Sequence, residues 1–126
     1  MMIHQKAFEY LQLPKELYQQ IAFTGSAFIC NPPITNTDID FIILSSDWDK
    51  LGEWCEQNSF KTNFEDYAIE EFRSYKRGMI NLIVTDDSTW YKRFVKATNL
   101  AKQLNLLDKQ QRIDLFDFVM YESNIV

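Results

Sequence analysis

The sequence predicts an α+β fold in which a small mixed sheet has helices packed on one side. The clearest strand covers about residues 38–45, which are apolar on both faces beyond Asp40, as in a central strand of a covered sheet. Two further segments, about 67–75 and 79–85, flank a turn that contains Gly78 and indicate a hairpin. Other segments repeat apolar residues at helical spacing. The expected order is helix, strand, strand, helix, hairpin and two helices.

The first part of the chain is expected to hold short elements. Residues 21–24 form a compact apolar run that ends at Gly25, which is typical of a buried strand. Asparagine, proline and threonine dominate the following segment and indicate a loop. The expected elements are a helix over 2–12, a short helix from Pro14 to about Gln20, a strand over 21–24 and a loop over 27–37.

Longer helices are expected in the rest of the chain, because short polar side chains precede each of them. Ser46 is expected to cap a helix over about 47–58. A second helix covers about 88–104, and Asp108 caps a last helix that runs to about Tyr121.

Composition and charge narrow the classes of function. The chain has 126 residues, of which 46% are hydrophobic and 25% charged, and these values suit a single soluble domain over 1–126. The formal net charge is −5, which is not the basic footprint of a protein that binds long nucleic acids. No apolar run approaches the ~20 residues that span a bilayer, and the N-terminus lacks a signal-peptide pattern. We therefore expect a cytoplasmic protein with no membrane partner.

One motif points to chemistry: Gly25-Ser26, then eleven residues, then Asp38-Ile39-Asp40 at the start of the strongest strand. Side chains alternate along a strand, so the two aspartates are expected on one face, where they would repel each other without a cation. Mg²⁺ prefers oxygen ligands and is often held by one or two carboxylates together with substrate phosphates. Gly25 permits a tight turn, and Ser26 can present its hydroxyl and its N–H to a phosphate. A purely structural role, with an aspartate paired to a lysine, is the alternative.

This ordered pattern resembles the signature of the nucleotidyltransferase superfamily, which includes minimal nucleotidyltransferases, antibiotic-modifying adenylyltransferases and DNA polymerase β. The similarity covers about residues 20–85, and the whole chain also looks like small bacteriophage-encoded proteins of this type, which would place it in the host cytoplasm. The resemblance implies the nucleotidyltransferase (DNA polymerase β-like) fold. It also implies that Gly25 and Ser26 contact nucleotide phosphates, and that Asp38 and Asp40 bind Mg²⁺ or Mn²⁺.

The sequence departs from the superfamily pattern at one position. Active members usually carry a third carboxylate on a later strand, whereas the polar residue of the matching strand here is Asn81. An asparagine can ligate or form hydrogen bonds, but it does not accept a proton as a carboxylate does. The departure therefore bears on catalysis more than on binding.

A glutamate on the hairpin is a candidate to complete the site, and the register decides which one. A three-residue loop that pairs Tyr75 with Met79 brings Glu71 to the face of Asn81. A two-residue loop of Arg77-Gly78 brings Glu70 to that face instead. The turn chemistry favours the first register, and exposed hairpin charge is the alternative for both glutamates.

Other polar residues carry weaker signals. Lys109 and Arg112 are three residues apart and are expected on one side of the last helix, facing either a triphosphate or solvent. His4 is the only histidine, and we expect no catalytic or ligand role for it.

Two functions are compatible with these residues. The first is metal-dependent transfer of a nucleoside monophosphate from an NTP, most simply ATP, to an acceptor on a protein or small molecule. Asp38 and Asp40 would hold the metal, with Asn81 or Glu71 completing the catalytic group. The second is a catalytically weak or inactive protein of the same fold that acts by binding a protein partner.

Overall fold

The structure, a computed structural model, describes residues 3–34, 37–62 and 71–122. Its elements are α1 (Ile3–Leu11), a 3₁₀ turn (Lys15–Leu17), β1 (Gln20–Thr24), α2 (Ser26–Ile29), β2 (Ile39–Leu44), α3 (Trp48–Gln57), β3 (Lys61–Thr62), β4 (Arg73–Arg77), β5 (Ile80–Thr85), α4 (Ser88–Gln103), α5 (Lys109–Asp117) and a π-helical turn (Phe118–Glu122). The expected α+β class is confirmed. The part of the predicted hairpin strand over 67–70 lies outside the described residues.

The five described strands form one mixed sheet in the order β1-β2-β5-β4-β3. β2 runs parallel to β5, and the other neighbouring strands are antiparallel. Phe41, Ile42 and Ile43 of β2 have no exposed surface. The predicted covered strand is therefore observed, with β1 on one side and β5 on the other.

Helices cover both faces of the sheet, so the expectation that they pack on one side was wrong. Phe41 and Ile43 join a cluster with α1 and α3, whereas Ile42 and Leu44 join a second cluster with α4. Alternate residues of a strand point to opposite faces, and all four of these side chains are apolar. Each face therefore needs its own layer of helices. In the segments that the structure describes, none of the helices combines the length and apolar character that crossing a bilayer requires.

The β4–β5 hairpin has a register that neither sequence alternative predicted. Arg77 pairs with Ile80, which leaves Gly78 and Met79 as a two-residue loop. Gly78 has a φ of 60°, and glycine with positive φ at the first loop position matches a type II′ turn, which suits the twist of antiparallel strands. Lys76 consequently lies opposite Asn81.

Aspartates cap the long helices. Asp47 Oδ1 accepts a hydrogen bond from Lys50 N at 3.2 Å, so α3 is capped one residue later than the predicted Ser46. Asp87 caps α4, and Asp108 caps α5 as predicted. The last helix ends earlier than expected, at Asp117, before the π-helical turn.

His4 belongs to the core beneath β1. Only 2% of it is exposed, and its ring lies 5.2 to 5.9 Å, centroid to centroid, from the rings of Phe23, Phe28 and Phe41. Burial lowers the pKa of His4 below its usual 6.5, against the opposing effect of a hydrogen bond to the backbone of Thr24. The histidine is thus a packed residue of the core.

The lowered pKa predicts an acid-sensitive contribution to stability. The native pKa is below the unfolded one, so the stabilisation is present above pH 6.5 and is lost as the pH falls through the native pKa. We expect wild type to lose up to about 1.4 kcal/mol per pH unit in that window relative to His4→Phe. Urea unfolding of both proteins between about pH 7.5 and about pH 5 measures this. A stability difference that stays constant over the range contradicts it.

Candidate functional site

The sheet register brings the Gly25-Ser26 bend against the aspartate strand. Thr24 at the end of β1 is the cross-strand partner of Asp40, so the bend begins one residue later. Gly25 has φ 80° and ψ 172°, and a Cβ added there would overlap Asp40 Oδ2. The carboxylate therefore lies directly over the glycine. Ser26 begins α2, a helix of four residues, and its Oγ is 3.2 Å from Thr37 Oγ1.

The two aspartates face a row of polar side chains on one face of the sheet. Asp38 Oδ2 is 3.0 Å from Lys76 Nζ, and Asp40 Oδ1 accepts a hydrogen bond from Asn81 Nδ2 at 3.1 Å. Lys76 and Asn81 are cross-strand partners, and partners in a sheet share a face. The predicted common face of Asp38 and Asp40 is thus present, and each carboxylate has a partner on it.

Asn81 is fixed between two neighbours. Only 6% of it is exposed, and its Oδ1 accepts a hydrogen bond from Ser74 Oγ at 2.9 Å. An ionised carboxylate only accepts hydrogen bonds, so the amide nitrogen has to face Asp40. The residue at the position of the third carboxylate therefore donates to Asp40 and directs its oxygen to Ser74.

A cavity of about 380 Å³ lies between this edge of the sheet and α5. Gly25, Ser26 and Asp40 line it from the sheet side, and Lys109 and Arg112 line it from α5. These are five of the residues that the sequence singled out for nucleotide or metal binding. The charged lining therefore consists of two carboxylates, those of Asp40 and Asp117, and two basic side chains, those of Lys109 and Arg112.

The two basic residues are held differently. Arg112 Nη1 donates to the backbone carbonyls of Leu106 at 2.9 Å and Leu107 at 2.8 Å, and it lies 3.4 Å from Cys30 Sγ. The contacts of this nitrogen therefore link the α4–α5 connection to the end of α2. Lys109 is exposed in the first turn of α5, where its flexible side chain can reach an anion in the cavity.

A smaller cavity with a largely aromatic lining adjoins the first, and Asn81 and Asp117 also line it. This second cavity, of about 200 Å³, shares Phe94 and Phe116 with the first, and Phe72 and Trp90 belong to its lining as well. The Phe72 and Trp90 rings stack with centroids 5.4 Å apart. The sequence analysis did not single out these aromatic side chains as part of a site. An apolar residue at helical spacing gives the same pattern whether it faces the core or a cavity.

Glu71 does not join the aspartates. It precedes β4, and its backbone carbonyl accepts a hydrogen bond from Thr85 Oγ1 at the far end of β5 from Asn81. Four residues along a strand correspond to about 13 Å. The expectation that Glu71 shares the face of Asn81 rested on a register that the hairpin does not adopt. Glu70 lies outside the described residues.

The residues present do not fit the divalent-metal site that the superfamily pattern implies. The ammonium group of Lys76 lies against Asp38, and the amide oxygen of Asn81 is directed to Ser74. Over residues 3–34, 37–62 and 71–122, no three histidine, cysteine, aspartate or glutamate side chains lie together in a group that could hold a metal ion. Mg²⁺ needs near-octahedral oxygen ligands.

Comparison with known proteins identifies the fold. No family model and no curated protein matches the chain. The solved structure of the conserved protein GrpB from Enterococcus faecalis is similar, with a TM-score of 0.59 and 17% identity over 96% of this chain and 86% of that chain. GrpB has a nucleotidyltransferase-like fold. The chain therefore has a nucleotidyltransferase-like fold, as the motif predicted, and at this identity the similarity shows the fold alone.

Proposed function

We propose that the protein binds a nucleoside triphosphate, most simply ATP, in the cavity between the Gly25-Ser26 bend and α5. The observation that carries the proposal is the convergence of Ser26, Lys109 and Arg112 around one cavity beside Asp40. In this proposal the nucleotide is a ligand that a protein partner senses, and transfer activity is weak or absent.

The shape and chemistry of the cavity support this class of ligand. The cavity offers the Ser26 hydroxyl and the Lys109 ammonium to phosphate oxygens, and charge-assisted hydrogen bonds of this kind are the stronger ones. The adjoining cavity is lined by the half-buried rings of Phe94 and Phe116, and a flat base packs favourably against aromatic side chains. The volume of the whole first cavity, about 380 Å³, lies within the usual range of ligand pockets.

The proposal of weak transfer rests on the group at position 81, which would have to accept the proton of the attacking hydroxyl. Attack by an acceptor hydroxyl on a phosphate is assisted by a positioned base, and Asn81 cannot take a proton at neutral pH. The carboxylate of Asp40 already accepts a hydrogen bond from Asn81 Nδ2. The arrangement therefore supports binding better than it supports transfer.

Calorimetry with ATP and Mg²⁺ tests the binding proposal. We expect Lys109→Ala to weaken ATP binding by about tenfold, because one charge-assisted contact to phosphate is removed. Lys96→Ala is the matched control, since Lys96 is an exposed lysine of α4 that does not line the cavity. This variant should bind ATP with the affinity of wild type. Wild type that binds no ATP at about 5 mM would refute nucleotide binding and leave only a partner-binding protein.

Metal-dependent transfer of a nucleoside monophosphate to a protein or small-molecule acceptor is the second candidate. The direct contact of Asp40 with Gly25 favours it, because the superfamily motif places the aspartates beside this bend. Incubation with labelled ATP and Mg²⁺ or Mn²⁺ decides between the two. Transfer that is lost in a folded Asp40→Ala variant would establish the enzyme, and transfer that persists there would exclude Asp40 as a catalytic residue.

A further inference from the structure

A lysine of the hairpin lies beside the acidic face of the sheet. Lys76 Nζ is 3.0 Å from Asp38 Oδ2, and Lys76 is the cross-strand neighbour of Asn81. Asn81 is in turn the neighbour of Asp40 in the parallel β2–β5 pair. The ammonium group therefore stands on the same face as both aspartates, next to the position where a third carboxylate would complete a metal site.

Two hydrogen bonds link the other polar side chains of this face. Asp40 Oδ1 accepts from Asn81 Nδ2, and Asn81 Oδ1 accepts from Ser74 Oγ. At Asp38 Oδ2 and Asp40 Oδ1, a divalent ion would have to displace the ammonium group of Lys76 and the amide of Asn81, and it would gain no oxygen from Asn81 in this orientation. Because Mg²⁺ gives up its own water reluctantly, such a displacement is unfavourable.

We propose that Lys76 is the resident cation of this acidic face, and that the cavity takes the phosphate groups of its ligand without a divalent metal. The statement about the cation is independent of the ligand. The statement about phosphate rests on the proposed function.

The contribution of Lys76 to metal exclusion differs from its contribution to stability. The side chains of Lys76 and Asp38 are 41% and 37% exposed, and an ion pair of this exposure stabilises the native state little. A positive charge beside the ligand oxygens nevertheless opposes an incoming cation, because Coulomb repulsion acts strongly over a few ångströms. Replacement of Lys76 is therefore expected to change metal affinity far more than stability.

Binding of Mn²⁺ alone, followed by the loss of the free-ion EPR signal, tests the cation statement. We expect weak binding to wild type, with a Kd above about 1 mM, and binding about tenfold tighter in Lys76→Gln. Lys76→Met keeps the aliphatic stem and should give the same gain. Lys61→Gln is the matched control. Lys61 pairs with Lys76 across β3 and β4, so this variant loses the same charge one strand further from Asp38. Urea unfolding checks that each variant is folded.

The ratio of affinities decides the outcome. A gain in Mn²⁺ affinity below about threefold in both Lys76 variants, or an equal gain in Lys61→Gln, overturns the proposal.

ATP calorimetry in EDTA tests the phosphate statement, and we expect the ATP affinity to remain within about twofold of that in Mg²⁺. ATP binding that needs Mg²⁺ overturns the metal-free statement but leaves the proposed function intact. Absence of ATP binding in both buffers refutes the proposed function, while the Mn²⁺ ratio still decides the role of Lys76.

Discussion

Gly25→Ala is expected to destabilise the protein by about 2–4 kcal/mol and to abolish ligand binding in the cavity. The φ of 80° and ψ of 172° at Gly25 belong to a region that essentially only glycine adopts. The added methyl group would also overlap the carboxylate of Asp40. The bend and the aspartate would therefore have to move apart. Urea unfolding and ATP calorimetry measure the two effects.

Gly78→Ala is the matched control. Gly78 also has a positive φ, 60°, but a Cβ added there meets no atom within 4 Å. Only the cost of placing alanine at a positive φ remains. We therefore expect the free energy of unfolding to fall by about 1 kcal/mol and the ligand affinity to stay unchanged. Equal losses in the two variants would show that the contact between Gly25 and Asp40 adds nothing to the cost.

Asn81→Asp is expected to lower the free energy of unfolding by about 2–3 kcal/mol at pH 7. The substitution exchanges a buried donor to Asp40 for a second negative charge, and it leaves Ser74 as the hydrogen-bond donor to the new group. Burial and the charge of Asp40 raise the pKa of the introduced carboxyl, so the native state binds its proton more tightly than the unfolded state does. The deficit relative to wild type should therefore shrink as the pH falls.

Ser74→Ala separates charge from hydrogen bonding. It removes the other partner of Asn81 without adding charge, so we expect a loss of about 1 kcal/mol that does not change between pH 7 and about pH 4.5. Urea unfolding of Asn81→Asp and Ser74→Ala at both pH values measures the difference. An Asn81→Asp variant as stable as wild type at pH 7 would show that Lys76 neutralises the new charge completely.

The contact between the bend and the aspartate strand could be predicted from the sequence, because it depends on local signals. An apolar run that ends at Gly25 and a stronger run that begins near Asp38 indicate neighbouring strands, and alternation places Asp38 and Asp40 together. The apolar character of both faces of β2 also indicated that the strand was covered, although the second layer of helices was not inferred from it.

The position of Lys76 beside Asp38 could not be predicted, because it depends on the register of the hairpin. A shift of one residue in register moves every side chain of a strand to the other face. The composition allows a loop that ends at Gly78 as well as a loop that begins there. The hairpin has the loop that begins at Gly78. The position of Glu71 was wrong for the same reason. The cavity aromatics were missed because helical periodicity does not separate core from cavity.

The register beside the two-residue loop at Gly78 and Met79 decides which charge stands next to the aspartates. A shift of one residue in the pairing of β4 with β5 would turn Lys76 away from Asp38 and move Tyr75 out of the core. The packing of Tyr75 therefore helps to hold a lysine beside a carboxylate on the opposite face of the sheet.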